Sequence, residues 1–342
     1  MSLSRPATFP LLNLPWLCIE SVVRSWDIFD IIFFALISKR TRQIVKHLKI
    51  PLNGIKIWLS SSKEIDLNSP FENWHFKKES EADSWYEEQY QDFSEYSLVL
   101  QKNSLPLYTK RMDRSLESYT DGKEVICLQM AMDFLNEVFR CSVEAVEINE
   151  DSIPELGDIG VKSTVNLSIH HSYGYAQGHK LSLLLENLEV TDTCTFWMDS
   201  RGHGFYVDPK HFKCKKLVFW SDSATWVTRE ILLQFEVPRL NFYDCPFSAE
   251  DILSFVTQWF HSDKKKLEYL YIEFRRRQVS LNEFQTKELN LVPFSGRTRV
   301  PLSESFRYID FSKGLEIVRH DGLVATIHVA RRAFLFYIWH NQ

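Results

Sequence analysis

Histidine and cysteine hold a metal ion where three or four of them converge. His211-x-x-Cys214, with Cys194 or His203 nearby in sequence, is the spacing here that comes nearest to that chemistry. A second tight pair is missing, so no metal site is expected. Gly202-His203-Gly204 matches neither a Walker phosphate loop nor G-x-G-x-x-G. Serine, histidine and aspartate are frequent, but the Gly-x-Ser-x-Gly nucleophile elbow does not occur. A hydrolase or zinc enzyme would need a polar pocket converging around His203 and His211. Arg275-Arg276-Arg277 could touch phosphate, yet a chain of net charge −5 offers no broad field for a polyanion. The expectation is a protein without catalytic residues, cofactor or nucleic-acid partner, whose work is binding.

The elements that would position a binding surface have ample material. The chain has 342 residues and is 44% hydrophobic, more than one small core requires. Six cysteines are scattered along it and none forms a C-x-x-C pair, so reduced, buried thiols and a cytoplasmic or nuclear location are expected. Pro10, Pro15 and Glu20 interrupt the N-terminal apolar stretch, which argues against a signal peptide. The longest apolar runs, 31–37 and 333–339, are seven residues each, against roughly 20 for a membrane span.

Residues 9–49 read as three short helices. Asn13 is the expected N-cap of the first, with Pro15 in its opening turn. Asp27 is expected to cap the second, IFDIIFFALI, which is apolar nearly all round. Ser38 starts a basic third helix that leaves only Ile44, Val45 and Leu48 for packing. About forty residues cannot bury this much apolar surface internally. Either the rest of the chain covers it or another protein does. Leu14-Pro15, the apolar helix to Val22-Val23, then Asp27, Asp30, Leu36, Ser38-Lys39-Arg40 and Arg42 resemble an F-box, with Trp26 and Ile31 where leucine is usual. The resemblance implies an F-box over 9–50 that docks on a Skp-type adaptor and, through it, a cullin. Carried over by position, it places Leu14, Pro15, Leu17, Ile19, Val22 and Val23 at or near that adaptor interface.

Downstream, Pro51-Leu52-Asn53-Gly54 signals a turn, followed by strands at Ile55–Leu59, at Ile65 and Leu67, and at Trp74–Phe76. Residues 79–96 hold seven carboxylates with interleaved aromatics, which reads as a solvated surface or an acidic docking site. Residues 101–124 read as a loop, and 125–139 as a buried helix. Short strands then recur with apolar-x-apolar-x-x-polar spacing from Val146, Leu167, Leu217 and Leu240, with a further strand at Leu183 and Leu185. The steps of 21, 23 and 27 residues (Val146 to Leu167, Leu217 to Leu240, Leu240 to Leu267) fall in the leucine-rich-repeat range. Thr228, Ser248 and Ser280 are expected to cap helices, the one after Ser248 burying Ile252, Phe255, Val256, Trp259 and Phe260. Lys264-Lys265-Lys266 would then sit at that helix's negative end. Trp197, Trp220 and Trp226 are candidate anchors for a target, though core positions are the expectation for each.

Asp321-Gly322, between two β-rich runs, predicts a hairpin, and Ala333–Trp339 a final strand. Two small sheets, one after the N-terminal helices and one here, are expected to merge beside those helices. Ile317–Ile327, and more loosely Pro238–Ile272, resemble the F-box-associated domain type 2 of a nematode-expanded F-box family. The expected fold is α+β or α/β: a three-helix F-box over 9–50, then a repeat-like substrate-binding domain over 51–342. The resemblance implies a substrate receptor of a cullin-based ubiquitin ligase that recruits an unidentified protein target. The rival reading is a binding protein outside any ligase, with the N-terminal helices covered by the chain itself.

Overall fold

The computed structural model describes residues 10–60, 63–67, 73–78, 98–102, 105–111, 115–120, 124–149, 160–171, 178–201, 205–275, 278–296 and 309–340. The acidic stretch 79–96 lies outside them, as do Asp151, Ser172 and His203. The chain forms two compact units, one built mainly from residues 1–58 and 62–144, the other mainly from 145–157 and 161–342.

In the first unit, α1 (Trp16–Arg24), α2 (Ile28–Ile37) and α3 (Lys39–Leu48) form as the sequence predicts, with one change of cap. Asn13 closes a 3-10 turn, and Pro15 takes the N-cap position with no side-chain hydrogen bond. Asp27 accepts from the Asp30 amide at 2.8 Å and caps α2. Ser38 and Thr41 exchange hydrogen bonds in a capping box that opens α3. Ile44, Val45 and Leu48 are buried as expected. The helix α4 (Glu124–Val138) packs on α3, where the Arg42 guanidinium lies 5.4 Å over the Phe134 ring.

The strands of this unit are β1 (Pro51–Leu59), β2 (Lys63–Asp66), β3 (Asn73–Lys78), β4 (Leu98–Lys102), β5 (Leu105–Arg111) and β6 (Ser115–Thr120), in the order β1-β2-β3-β6-β5-β4. Two expectations fail here. The Pro-Leu-Asn-Gly segment is no turn. Gly54 takes φ +79 inside β1, and the strand runs on through it, as glycine permits. Within 101–124, Leu105–Arg111 and Ser115–Thr120 are the strands β5 and β6 rather than loop, while Asp121-Gly122 lies outside the described residues. In β6, Leu116 and Ser118 are both buried, an apolar and a polar side chain on one face, which blurs the strand alternation. Ser118 is buried because it accepts from Trp74 Nε1 at 2.8 Å. Ser118→Ala leaves that indole N–H unsatisfied and should lower unfolding stability by about 1–2 kcal/mol in urea titration. Trp74→Phe combined with it should recover part of the loss.

The second unit is built on six strands that pair in parallel, one on the next: the end of β7 (Arg140–Ile148) from Ala145 on, then β8 (Ser163–His171), β9 (Glu189–Met198), β10 (Lys216–Trp220), β11 (Arg239–Cys245) and β12 (Tyr269–Phe274). The register lines up identical positions of each strand. Val146, Leu167, Cys194, Leu217, Leu240 and Leu270 form one row. Ile148, Ile169, Phe196, Phe219, Phe242 and Ile272 form the next. The repeat seen in the sequence is this pair of rows, with Leu270 rather than Leu267 as its last member. The strand β9 was missed because its row positions are Cys194 and Phe196 rather than leucine.

Among the described residues, the connections between strands do not repeat. They are α5 (Gly178–Asn187), a segment with a 3-10 turn at Pro209–His211, α6 (Arg229–Leu232) and α7 (Ala249–His261). The architecture is therefore a mixed α/β unit with a parallel ladder, without leucine-rich-repeat regularity. The strand expected at Leu183 and Leu185 is the helix α5. Leu181, Leu184, Leu185 and Leu188 recur at helical spacing and are buried, while Leu183 points outward. In α7, Ser248 and Asp251 complete a reciprocal capping box, and Ile252, Phe255, Val256 and Trp259 form the buried stripe.

The C-terminal strands β13 (Val292–Pro293), β14 (Leu315–Val318), β15 (Val324–Ala330) and β16 (Ala333–Trp339) continue this same sheet in the order β13-β14-β15-β16-β12. They do not pair with the strands that follow α3, contrary to expectation. The reason is the row pattern: β16 lies antiparallel to β12, and Phe336 and Phe334 extend the rows of Leu270 and Ile272. The predicted hairpin is present, with Gly322 at φ +85 and the Arg319 amide donating to Leu323 O.

Candidate interaction surfaces

Two groups of exposed side chains stand out against these cores. The first lies on the N-terminal helices. Among the six residues assigned to an adaptor interface, Leu17 is 73% exposed and Pro15 is also exposed, while Leu14 and Val22 are half-buried. Ile19 and Val23 point into the core of the first unit and are 5% and 0% exposed. Their side chains hold α1 in place. Sequence reasoning overlooked Trp16 and Ile37, 44% and 65% exposed. The signal for Ile37 was available: a helix apolar all round must leave something outside. Trp16 rests edge-on against His47 with centroids 6.3 Å apart.

The second group lies on the face of the parallel ladder opposite the two apolar rows. His170, Trp197, Trp220, Tyr243 and Tyr271 come from five consecutive strands and stand side by side. Trp197 and Trp220 stack at 5.4 Å, and Trp220 and Tyr243 at 3.9 Å with 9° between their planes. Strand spacing sets this: neighbours in a sheet are about 4.8 Å apart, close to the stacking distance of flat rings. Trp197 is 53% exposed. Trp226, by contrast, is core and donates Nε1 to Ser223 O at 3.0 Å. Burial, with Tyr271, Tyr269 and Glu273 nearby, pushes the Tyr243 hydroxyl up to about 12, so it stays protonated. Beyond the rings, Arg201 forks onto Asp199 at 2.6 and 2.9 Å, and Arg275 reaches Asp222 at 2.6 Å. Toward β16 the same face is closed by Phe294, Ile309 and Phe311, which pack on Tyr269, Leu335, Tyr337 and Trp339.

Of the residues that suggested metal chemistry, the two cysteines meet each other and His211 turns to a carboxylate. His211 Nε2 faces Glu186 Oε1 at 3.5 Å. Cys194 and Cys214 are buried free thiols within hydrogen-bonding range of each other, and that contact together with burial keeps Cys194 protonated. Among the described residues, no group of three histidines, cysteines or carboxylates is placed to hold a metal ion. No helix among them is long and apolar enough to cross a membrane.

The stretch from the Pro209 turn through β10, β11 and α7 to Ile272 carries the middle of the ladder and both of its apolar rows. Residues 209–272 match the F-box associated family. The match contains the Pro238–Ile272 stretch, within the 180–330 over which the sequence loosely resembles that domain, and does not include Ile317–Ile327. The uncharacterized protein F59B2.8 of Caenorhabditis elegans is 23% identical across 93% of this chain and 74% of its own length. The uncharacterized protein F59B2.9 of the same nematode is 26% identical across 32% of this chain and 26% of its own. No solved structure matches the chain at a significant level. The F-box-associated match covers strands and helices of the second unit and does not reach the N-terminal helices.

Proposed function

We propose that this chain is the substrate receptor of a cullin-based, SCF-type ubiquitin ligase. The F-box-associated match at 209–272 carries the reading. The exposed apolar side chains of α1 and α2 support it, because Trp16, Leu17 and Ile37 are left uncovered by a chain with ample apolar surface elsewhere to bury. In this reading the N-terminal helices dock on a Skp-type adaptor through Pro15 and Leu17, with Leu14 and Val22 at the margin. The second unit holds a protein target, and the ligase acts by proximity: a tethered lysine meets the charged ubiquitin-carrying enzyme at high effective concentration. No residue of the chain performs a chemical step, and the protein acts in the cytoplasm or nucleus.

A second reading has its own support. Ile19, Val23 and half of α2 are buried within the first unit, so the helices need no partner to hold their core. A scaffold outside any ligase would keep the same helices.

Co-expression with a Skp-type adaptor separates the two. The wild-type chain is expected to co-purify with the adaptor, and Leu17→Asp to lose it with an unchanged melting temperature. Leu14→Ala with Pro15→Ala should weaken it as well. Adaptor capture unchanged by Leu17→Asp, or absent in the wild-type chain, sinks the ligase reading and leaves the scaffold.

A further inference from the structure

The loops that lead into β10 and β12 carry a feature that neither reading uses. Between the end of α7 and the entry to β12 lies an apolar groove of about 210 Å³, lined by Leu233, Phe235, Val237, Phe255, Trp259 and Leu267. Lys264, Lys265 and Lys266 stand on its rim. A wider basin adjoins it through Glu236 and Lys266, and adds Lys210, Lys213 and Lys215. Against these six lysines the two hollows hold only the carboxylates of Glu236 and Asp208. Lys210 already occupies Asp208, at 2.6 Å. Lys213, Lys215, Lys265 and Lys266 are exposed, with no ion-pair partner among the described residues, and Lys264 gives its Nζ only to Leu233 O at 3.5 Å.

The helix dipole does not account for the lysine run. The last helical residue of α7 is His261, and Ser262 caps it. The three lysines follow outside the last turn, where the dipole's pull has faded. The backbone where the run begins is held from elsewhere: buried Arg319 donates Nη1 to Lys264 O at 2.8 Å, and His320 meets the preceding Asp263 at 3.2 Å.

Resting on the substrate-receptor reading, we propose that this rim docks an extended, Asp/Glu-rich segment of the protein target. One apolar side chain of the segment seats in the groove. Carboxylates on either side meet Lys264–Lys266 and the pair Lys213 and Lys215. The spread of the lysines favours several separate carboxylates over one phosphate, which is best held by converging donors or an arginine fork. The groove's aromatic rings, Phe235, Phe255 and Trp259, are all buried, so they offer no open face on which a nucleic-acid base could stack. The chain's net charge of −5 repels a long polyanion, while a short acidic segment feels only charges within about 8 Å at physiological salt.

The test uses the full chain co-expressed with the adaptor and a fluorescein-labelled dodecapeptide alternating Asp and Ser around a central Phe, read by anisotropy. Binding is expected, weakened about tenfold when every Asp becomes Asn or the Phe becomes Ser. It should also weaken as salt rises from about 0.05 to 0.3 M. Lys264→Glu with Lys265→Glu and Lys266→Glu should lower affinity by at least about tenfold, and Gln258→Trp, which fills the groove from an exposed helix position, by a similar factor. Lys213→Glu with Lys215→Glu serves as a second charge reversal should the triple variant fold poorly. Equal binding of the Asn peptide overturns the proposal, as do folded reversal variants of unchanged affinity. A single-stranded DNA dodecamer that displaces the peptide at equal or lower concentration overturns it in favour of nucleic acid. Adaptor capture is measured on the same samples. Peptide binding lost with capture retained defeats only the docking proposal, and capture lost with peptide binding retained defeats only the ligase reading.

Discussion

Phe219→Ala should destabilise the second unit by about 4 kcal/mol. Phe219 is 1% exposed at the centre of the ladder. Its ring stacks between Phe196 at 5.3 Å and Phe242 at 5.2 Å. Phe212, Trp226 and Phe235 close over it, each with centroids 6.3 Å away. Removing the ring takes away contacts with five aromatic neighbours at once. Those neighbours are fixed by strand register and by each other, so they cannot collapse to fill the space. Phe219→Leu keeps much of the volume and should cost roughly 1–1.5 kcal/mol. Urea unfolding gives the totals, and hydrogen exchange should localise the loss of protection to β9, β10 and β11. A cost for Phe219→Ala below about 2 kcal/mol would mean that the rows relax more freely than the register implies.

Arg319→Ala should cost about 3 kcal/mol, although the residue sits beside a tight turn where substitutions are usually mild. Its side chain is completely buried. Nε and Nη2 fork onto Asp321 at 2.9 and 2.7 Å, Nη1 holds Lys264 O, and the guanidinium lies 4.8 Å over the Trp259 ring. Alanine leaves a cavity, an unsatisfied carbonyl, and an Asp321 carboxylate that has lost its cation and keeps the Leu323 amide at 3.1 Å. Arg319→Lys should recover little, because a point charge cannot serve three acceptors in fixed directions. The Arg319 fork also holds the Asp321 carboxyl well below the usual carboxylate range. The folded value being depressed, this contribution is full above about pH 4, where an unfolded aspartate is already ionised, and is lost as pH falls through the folded value. Asp321→Asn should therefore lower the melting temperature at pH 7, and the gap from wild type should shrink toward pH 2. A gap independent of pH would show that the ion pair is not its source.

Both sites show how far sequence reading reaches. The spacing of Leu217 and Phe219, and of Leu240 and Phe242, announced strands of one design. Asp321-Gly322 announced a hairpin through turn chemistry alone. Neither could reveal that Phe219 lies between Phe196 and Phe242, because Cys194-x-Phe196 carries no leucine signature. The residues beside Arg319 in the chain give no sign of its burial, since its partners come from the turn two residues on and from a loop 55 residues back. Leu183 was assigned to a strand on alternation with Leu185, while the helical spacing of Leu181, Leu184, Leu185 and Leu188 decided otherwise.

What the sequence determined by itself is whatever depends on neighbours along the chain. That covers the caps at Asp27, Ser38 and Ser248, the buried stripes of α4 and α7, the recurring strands and the Asp-Gly turn. Tertiary structure decided what depends on pairing at a distance. It placed β16 beside β12 because the phenylalanine rows match, and stacked Trp197, Trp220 and Tyr243 because strand spacing suits flat rings. It turned Ile19 and Val23 inward while leaving Leu17 and Trp16 outside, a choice that periodicity on a short, broadly apolar helix cannot make. It also placed Lys264–Lys266 on the rim of one apolar groove and Lys213 and Lys215 in the basin beside it. Charges from separate loops become neighbours only when the strands between them have found their register.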